Sequence, residues 1–206
     1  MYILYHMPPS QHSRRVVSLL AEAGLDYETR TIALDKGEQY GPDYLTINPN
    51  HQIPTLIDGD IKIHESNAIL RYLCVKHRLT DWYPDELVAR ALTEQWLDWC
   101  QCRLGPGVVD VVLNSVFLGD KGDKAAIARG KERLEEVIPI METHLGGHAF
   151  FGGERPTIAD LAIFSAVSHL NFVDARPRTP NIDRWYGDMM RYEGVRKALP
   201  PALAAA

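Results

Sequence analysis

Strand-like alternation in this chain ends at residue 64, and everything beyond reads as helix. Tyr2, Ile3, Leu4 and Tyr5 form a first strand pattern, with Tyr5 an aromatic that packs in the core. "YETRTIAL" gives a second strand, and "IPTLIDGDIKI" two more around the turn Asp58-Gly59-Asp60. The pattern predicts a small α/β domain over residues 1–79, joined by "TDWYPDE" to an all-α domain over residues 86–206.

The helices announce themselves by spacing. Val16, Val17, Leu20 and Ala21 run at helical period as far as Gly24, a natural stop. "ESNAILRYLCVKH" puts Ile69, Leu70 and Leu73 on one face and ends in positive charge, which complements a helix C-terminus. "ELVARALTEQWLDWCQCRL" carries an apolar stripe of Leu92, Trp96 and Trp99, and "GPG" at 105–107 is predicted to kink or break it. A further helix runs from about Lys124 to Leu145, with Pro139 bending or restarting it. "PTIADLAIFSAVSHL" reads as a buried helix, and "NIDRWYGDMMRYEGV" begins another.

Three stretches could carry chemistry. In "PPSQHSRR", Ser10 and Ser13 stand where a strand hands over to a helix. Neither has an evident activating base and no G-x-S-x-G elbow is present, so serine hydrolysis is disfavoured. A hydroxyl at a helix N-terminus can instead donate to an anion, or simply cap the helix. In "NPNHQIPTL", Pro54 cannot donate to a sheet and suggests a bend of the kind a cis bond makes. Ile53 before it could offer its backbone to an extended peptide, or merely start an edge strand. In "HESNAIL", Glu65 and Ser66 open a helix, suiting either a ligand carboxylate or a cap.

Charge and composition narrow the classes. The net charge is −5, from 22 basic and 27 acidic residues, and no basic run suits a nucleic acid. No apolar run reaches membrane-span length and no cleavable signal opens the chain, so a cytoplasmic protein without membrane attachment is expected. Cys74, Cys100 and Cys102 are odd in number and suit a reducing compartment. No metal is expected: His144 and His148 straddle Gly146-Gly147, so one helix face should not present both. Cys100-Gln101-Cys102 is not a C-x-x-C motif, Glu135-Glu136 reads as a solvated face, and the glycines at 146–153 follow no strand.

"SQHSR" at Ser10, "NPNHQIPTL", "HESNAILRYL" and "FFGGERPTIADLAIFS", in this order and spacing, resemble the cytosolic glutathione transferases over residues 2 to about 195. The serine form of the first motif, with "WYPDELVARA" and "VFLGD", looks most like the theta class or a theta-like bacterial member. The resemblance implies a thioredoxin-like domain followed by a helical domain, usually as a homodimer, with glutathione as co-substrate and detoxification of small electrophiles as the role. In such members the first motif serine, here Ser10, donates to the glutathione sulfur, with Ser13 the alternative. Ile53 and Pro54 would face the cysteinyl backbone, Glu65, Ser66 and Asn67 the γ-glutamyl end, and His51 and Gln52 the glycine end. Gln39 stands where theta relatives often carry histidine, a departure at that end.

The second pocket is expected at Met7, Pro8, Leu104, Val108, Val112, Phe117 and Phe172. Thr157 and Asp160 resemble the family's capping box, a structural element. The first helix lacks cysteine, which argues against mixed-disulfide relatives, and "SQHS" does not match the motif of the isomerases. Dehalogenase, etherase and peroxidase activities all remain open. The chain ends soon after Val195, which suggests an open pocket for bulkier substrates. A non-catalytic ligand carrier or assembly module is the alternative, though such a scaffold needs Pro54 but not Ser10, Glu65 and Ser66.

Overall fold

The computed structural model describes residues 1–204. Four strands form one sheet: β1 (Tyr2–His6), β2 (Tyr27–Thr31), β3 (Thr55–Asp58) and β4 (Ile61–His64), in the order β2-β1-β3-β4. β1 and β2 are parallel, as a crossover through α1 (Gln11–Glu22) requires, whereas β3 pairs antiparallel with β1 and with β4. Gly59, at φ 58°, makes the β3–β4 turn in a conformation that favours glycine.

Alternation along β1 turns Tyr2, Leu4 and His6 inward. Leu4 and Leu56 are fully buried in one core with Val16, Leu19 and Leu20 of α1 and Ile69, Leu70 and Leu73 of α3 (Ser66–His77). Tyr5 points to the other face, where it is half-buried. Its ring tilts against Tyr44 of the short α2 (Pro42–Leu45) and its hydroxyl accepts from Arg30. It packs beside the sheet, outside the main core.

The helical part begins with α4 (Leu87–Trp99) and α5 (Gly105–Val112), followed by α6 (Lys124–Gly147), α7 (Ile158–His169), α8 (Pro180–Met189), α9 (Glu193–Lys197) and α10 (Pro201–Ala204). Every residue of α7 is buried, which makes it the central rod of this half. Its N-terminus is fixed by the Thr157 and Asp160 capping box. Asp160 also accepts from the backbone of Phe151 (2.8 Å) and Gly152 (3.1 Å) and from Trp185 Nε1 (3.0 Å). α1 packs against α3, α7 and α9, so it joins the two halves. At Gly194 a Cβ would stand 2.4 Å from the Ser18 carbonyl, so only glycine lets α9 approach α1 this closely.

Several helix expectations are corrected. "GPG" does not break the helix: α4 and α5 are continuous through a wide π turn at Cys100–Leu104, where the Gly105 N–H donates to the Cys100 carbonyl. The extra residue in that turn makes room for the ring of Pro106, which lacks a donor. A second π turn, Leu113–Phe117, closes the run. Pro139 lies inside an uninterrupted α6, where its exposed side leaves the freed carbonyl to water. α6 runs through Gly146 and ends at Gly147, and His148, extended just beyond it, folds back so that His144 and His148 stack with ring centroids 4.4 Å apart and planes within 9°. Leu92 leaves the expected stripe and is 49 % exposed, while Trp96 is buried and Trp99 packs on it. No helix among the described residues is long and apolar enough to cross a membrane. No group of three or more metal-ligating side chains converges among them.

Candidate active site

Ser10 is the N-cap of α1, in extended conformation. Its Oγ accepts from the Ser13 N–H at 3.3 Å, and its own N–H donates to the Met7 carbonyl at 2.9 Å. The first N–H groups of a helix have no intrahelical acceptor, and they give this end partial positive charge. No acidic residue in the first turn of α1 offsets it. Ser10 faces a cleft of about 650 Å³ walled by Met7, Leu34, Val109, Leu113, Phe117 and His169. Ser13 is fully buried, and its Oγ accepts from the Met7 N–H at 3.4 Å. Of the two serines, only Ser10 lines the cleft.

A smaller polar niche of about 200 Å³ adjoins it, lined by His12, Asn48, Gln52, Ile53, Pro54, Glu65, Ser66 and Gln101. His12, Gln52 and Ile53 belong to both, so cleft and niche are one continuous depression. The Ile53–Pro54 bond is cis. The loop before it is held by its own carbonyl: Gln52 accepts from the Tyr44 hydroxyl (2.6 Å) and from Asn48 Nδ2 (2.9 Å). Glu65 precedes α3 at φ 66°, a left-handed conformation that a non-glycine residue adopts only under constraint. That turn brings the N-terminus of α3 to the niche, with Ser66 at its first position.

The comparisons decide what this arrangement is. Residues 1–74 match the model of the glutathione S-transferase N-terminal domain, and residues 124–188 that of its C-terminal domain. Glutathione S-transferase F10 of Arabidopsis thaliana is 36% identical over 179 residues, covering 84% of this chain and 80% of that one. The chain belongs to the glutathione transferase family. Glutathione S-transferase T1 of the same plant is 34% identical over 206 residues, covering 93% and 82% of the two chains. The theta class glutathione S-transferase from Xanthomonas axonopodis pv. citri, solved with glutathione bound, superposes with a TM-score of 0.87 at 25% identity over 98% of each chain. The protein is a glutathione transferase enzyme, with a thioredoxin-like domain followed by a helical one.

Within this transferase several expected wall residues are displaced. Leu104, Val108 and Val112 are 1 %, 0 % and 0 % exposed and belong to the core, while their neighbours Val109 and Leu113 line the cleft. Pro8 is exposed beside Met7 and lines neither depression. Phe172 stands behind the wall, edge-on to Phe117 at 5.6 Å and to His169 at 5.2 Å. The Asn67 side chain turns inward, accepting from Arg15 at 2.9 Å and donating to the Leu97 carbonyl. Gln39 and His51 line neither depression. His51 tilts against Tyr40 at 4.9 Å, one residue from Gln39.

Sequence reasoning missed His12, Gln101 and Leu34; in the segment from Leu104 to Phe117 and near Phe172, which it did expect to line the pocket, the lining residues are Val109, Leu113 and His169. Burial pushes the His12 imidazole down to about 3, aided by Arg15 and Arg14. His169 is likewise held at about 3 by burial, then by Arg14 and His12. Both are therefore neutral at physiological pH, and neither stands ready as a protonated acid.

Proposed function

We propose that the Ser10 hydroxyl donates to the glutathione sulfur, holds it as thiolate, and delivers it to small electrophiles in the apolar cleft. The observation that carries this is the position of Ser10, on a helix N-terminus and lining the apolar cleft that adjoins the polar niche. The Ser13 N–H already occupies a lone pair of Oγ, which leaves the hydroxyl proton free to point at sulfur.

The magnitudes are compatible. A free thiol has a pKa of about 8.5, and lowering it by two units asks for about 2.7 kcal/mol. A hydrogen bond to a charged group supplies about 1.5–3 kcal/mol, and the helix end about 0.3–1 more. Thiolate attack on a bound electrophile then gains from proximity.

The niche suits the peptide. Ile53 offers its backbone ahead of the cis bond, and Ser66 with the first N–H groups of α3 suits the γ-glutamyl carboxylate, flanked by Glu65. Gln52 belongs toward the glycine end, with His51 and Gln39 further out. Residues 1–79 form the glutathione domain and residues 86–206 supply most of the electrophile wall. Theta-like character rests on the serine motif and on the likeness to theta relatives. Leu87, Val88 and Leu92 lie exposed on α4 and suit burial in a homodimer.

Calorimetry of glutathione binding across pH, on wild type and Ser10→Ala, tests the reading. Proton release on binding to wild type but not to Ser10→Ala is expected. Equal release from both would remove Ser10 from the role.

A further inference from the structure

Beneath this site lie two cations that the reading above leaves unused. Arg14 and Arg15 are 2 % and 1 % exposed, and every hydrogen-bond partner of theirs among the described residues is neutral. Arg14 donates to the Pro9 carbonyl at 2.5 Å, the Ser165 carbonyl at 2.6 Å and Ser168 Oγ at 3.1 Å. It also donates to His169 Nδ1 at 3.3 Å, and its Nε finds no partner. Arg15 donates to Asn67 Oδ1, and its Nε is also unpartnered. Buried charge without a counter-charge is costly, and it is retained where an anion arrives or a geometry must be held.

The geometry serves both ends. Pro9 immediately precedes Ser10, and the residue after it, Gln11, has its carbonyl held by Ser165 Oγ at 2.6 Å. The Pro9–Ser10 peptide, through Arg14, and the Gln11–His12 peptide, directly, are thus tied to α7. We propose that Arg14 is a positioning residue of the thiolate site. It holds Ser10 between the two halves of the molecule and keeps the floor of the cleft at positive potential toward an arriving sulfur anion.

The groups facing it leave that charge in place. Arg15 and His12 share α1 with it, His169 faces it from α7 and Tyr186 from α8. The second cation adds to the field, both imidazoles are neutral, and burial pushes the Tyr186 hydroxyl up, so it stays protonated. Arg14 itself is lowered to about 9 by its burial, which leaves it charged at neutral pH. A cation one contact behind the cleft, bonded to the Pro9 carbonyl and to His169 of its wall, favours the ionised sulfur without touching it.

This inference rests on the glutathione reading, and the experiment separates the two. The bound thiol is titrated by its ultraviolet thiolate absorbance in wild type, Arg14→Gln and Arg14→Lys. Affinity for S-methylglutathione, which has no ionisable thiol, is measured alongside. Arg14→Gln should raise the thiol pKa by about one unit, so that about threefold less thiolate forms at neutral pH, with S-methylglutathione affinity unchanged. Arg14→Lys should recover most of the loss. An unshifted titration in Arg14→Gln, or no recovery in Arg14→Lys, overturns the inference while the glutathione reading stands. A wild type that does not bind glutathione overturns both.

Wild-type protein alone supplies a second measurement, should the variants fail to fold. Histidine resonances of His169 are followed against pH with glutathione and with S-methylglutathione bound. If sulfur and imidazole share one field, the His169 resonances of the glutathione complex should shift as the thiol ionises near neutral pH, while those of the S-methylglutathione complex stay constant there. Identical titrations overturn the proposal.

Discussion

The backbone N–H of Ser13 donates to the hydroxyl of Ser10 across 3.3 Å, so one serine orients the other. The two hydroxyls are chemically alike and three residues apart, yet one opens on the cleft and the other is sealed in the core.

Substituting them should therefore separate chemistry from stability. Ser10→Ala is expected to lower kcat/KM by about a hundredfold, with about 1 kcal/mol of stability lost along with the α1 cap. Ser13→Ala strands the buried N–H of Met7 and should cost about 1–3 kcal/mol in urea denaturation, with kcat/KM nearly intact. The opposite pattern would exchange their roles.

Val108 and Val109 offer the same contrast one residue apart. Val108 is fully buried, and Val108→Ala should cost about 1–3 kcal/mol of stability while leaving substrate kinetics unchanged. Val109→Ala should leave stability nearly intact and alter KM for the electrophile but not for glutathione. Equal effects on KM would show that both face the cleft.

Acid should destabilise this protein earlier than its carboxylates alone would dictate. Burial holds His12 and His169 at about 3 and lowers His6 and His144 as well. The unfolded chain binds protons at these histidines near the ordinary value of 6.5, whereas the fold keeps them neutral. Stability is thus fully present above that value and falls as pH drops from there toward about 3, with a slope of about 1.4 kcal/mol per unit for each histidine. Urea midpoints measured through this range should decline steadily, and His169→Gln should make the decline shallower. A flat profile would contradict the account.

Gly194 is a packing requirement. A methyl group there meets the Ser18 carbonyl and the Glu22 N–H, both backbone, so neither can swing aside. Gly194→Ala should cost about 1–3 kcal/mol and lower the thermal midpoint, with glutathione affinity preserved. An unchanged midpoint would mean that α9 shifts freely.

The four strands and most helices were legible because period-two and period-3.6 patterns are local. Ser10, Pro54 and Ser66 were legible because turn and cap chemistry is local too. What the sequence hid was which side of a helix faces which neighbour. Val108 and Val109 are the same residue type, and only the π turn before them decides which enters the core. His12 and Arg14 belonged to a recognised motif, but their surroundings are built by α7, about 150 residues away, as the Arg14 bond to Ser165 shows. His144 and His148 looked separated by the two glycines, and the helix does end at Gly147, but the extended backbone of His148 and its ring's 3.0 Å contact with the His144 carbonyl bring the rings together.

The π turn at Cys100–Leu104 also bears on how such a pocket diversifies. Consecutive residues of an α-helix point about 100° apart, so a single insertion within that turn would rotate everything downstream by one position. Val108 and Val112 would then take over the places of Val109 and Leu113, while α4 before the turn kept its seat. Lineages can thus exchange one lining for another through a one-residue length change, a route that point substitution alone does not provide.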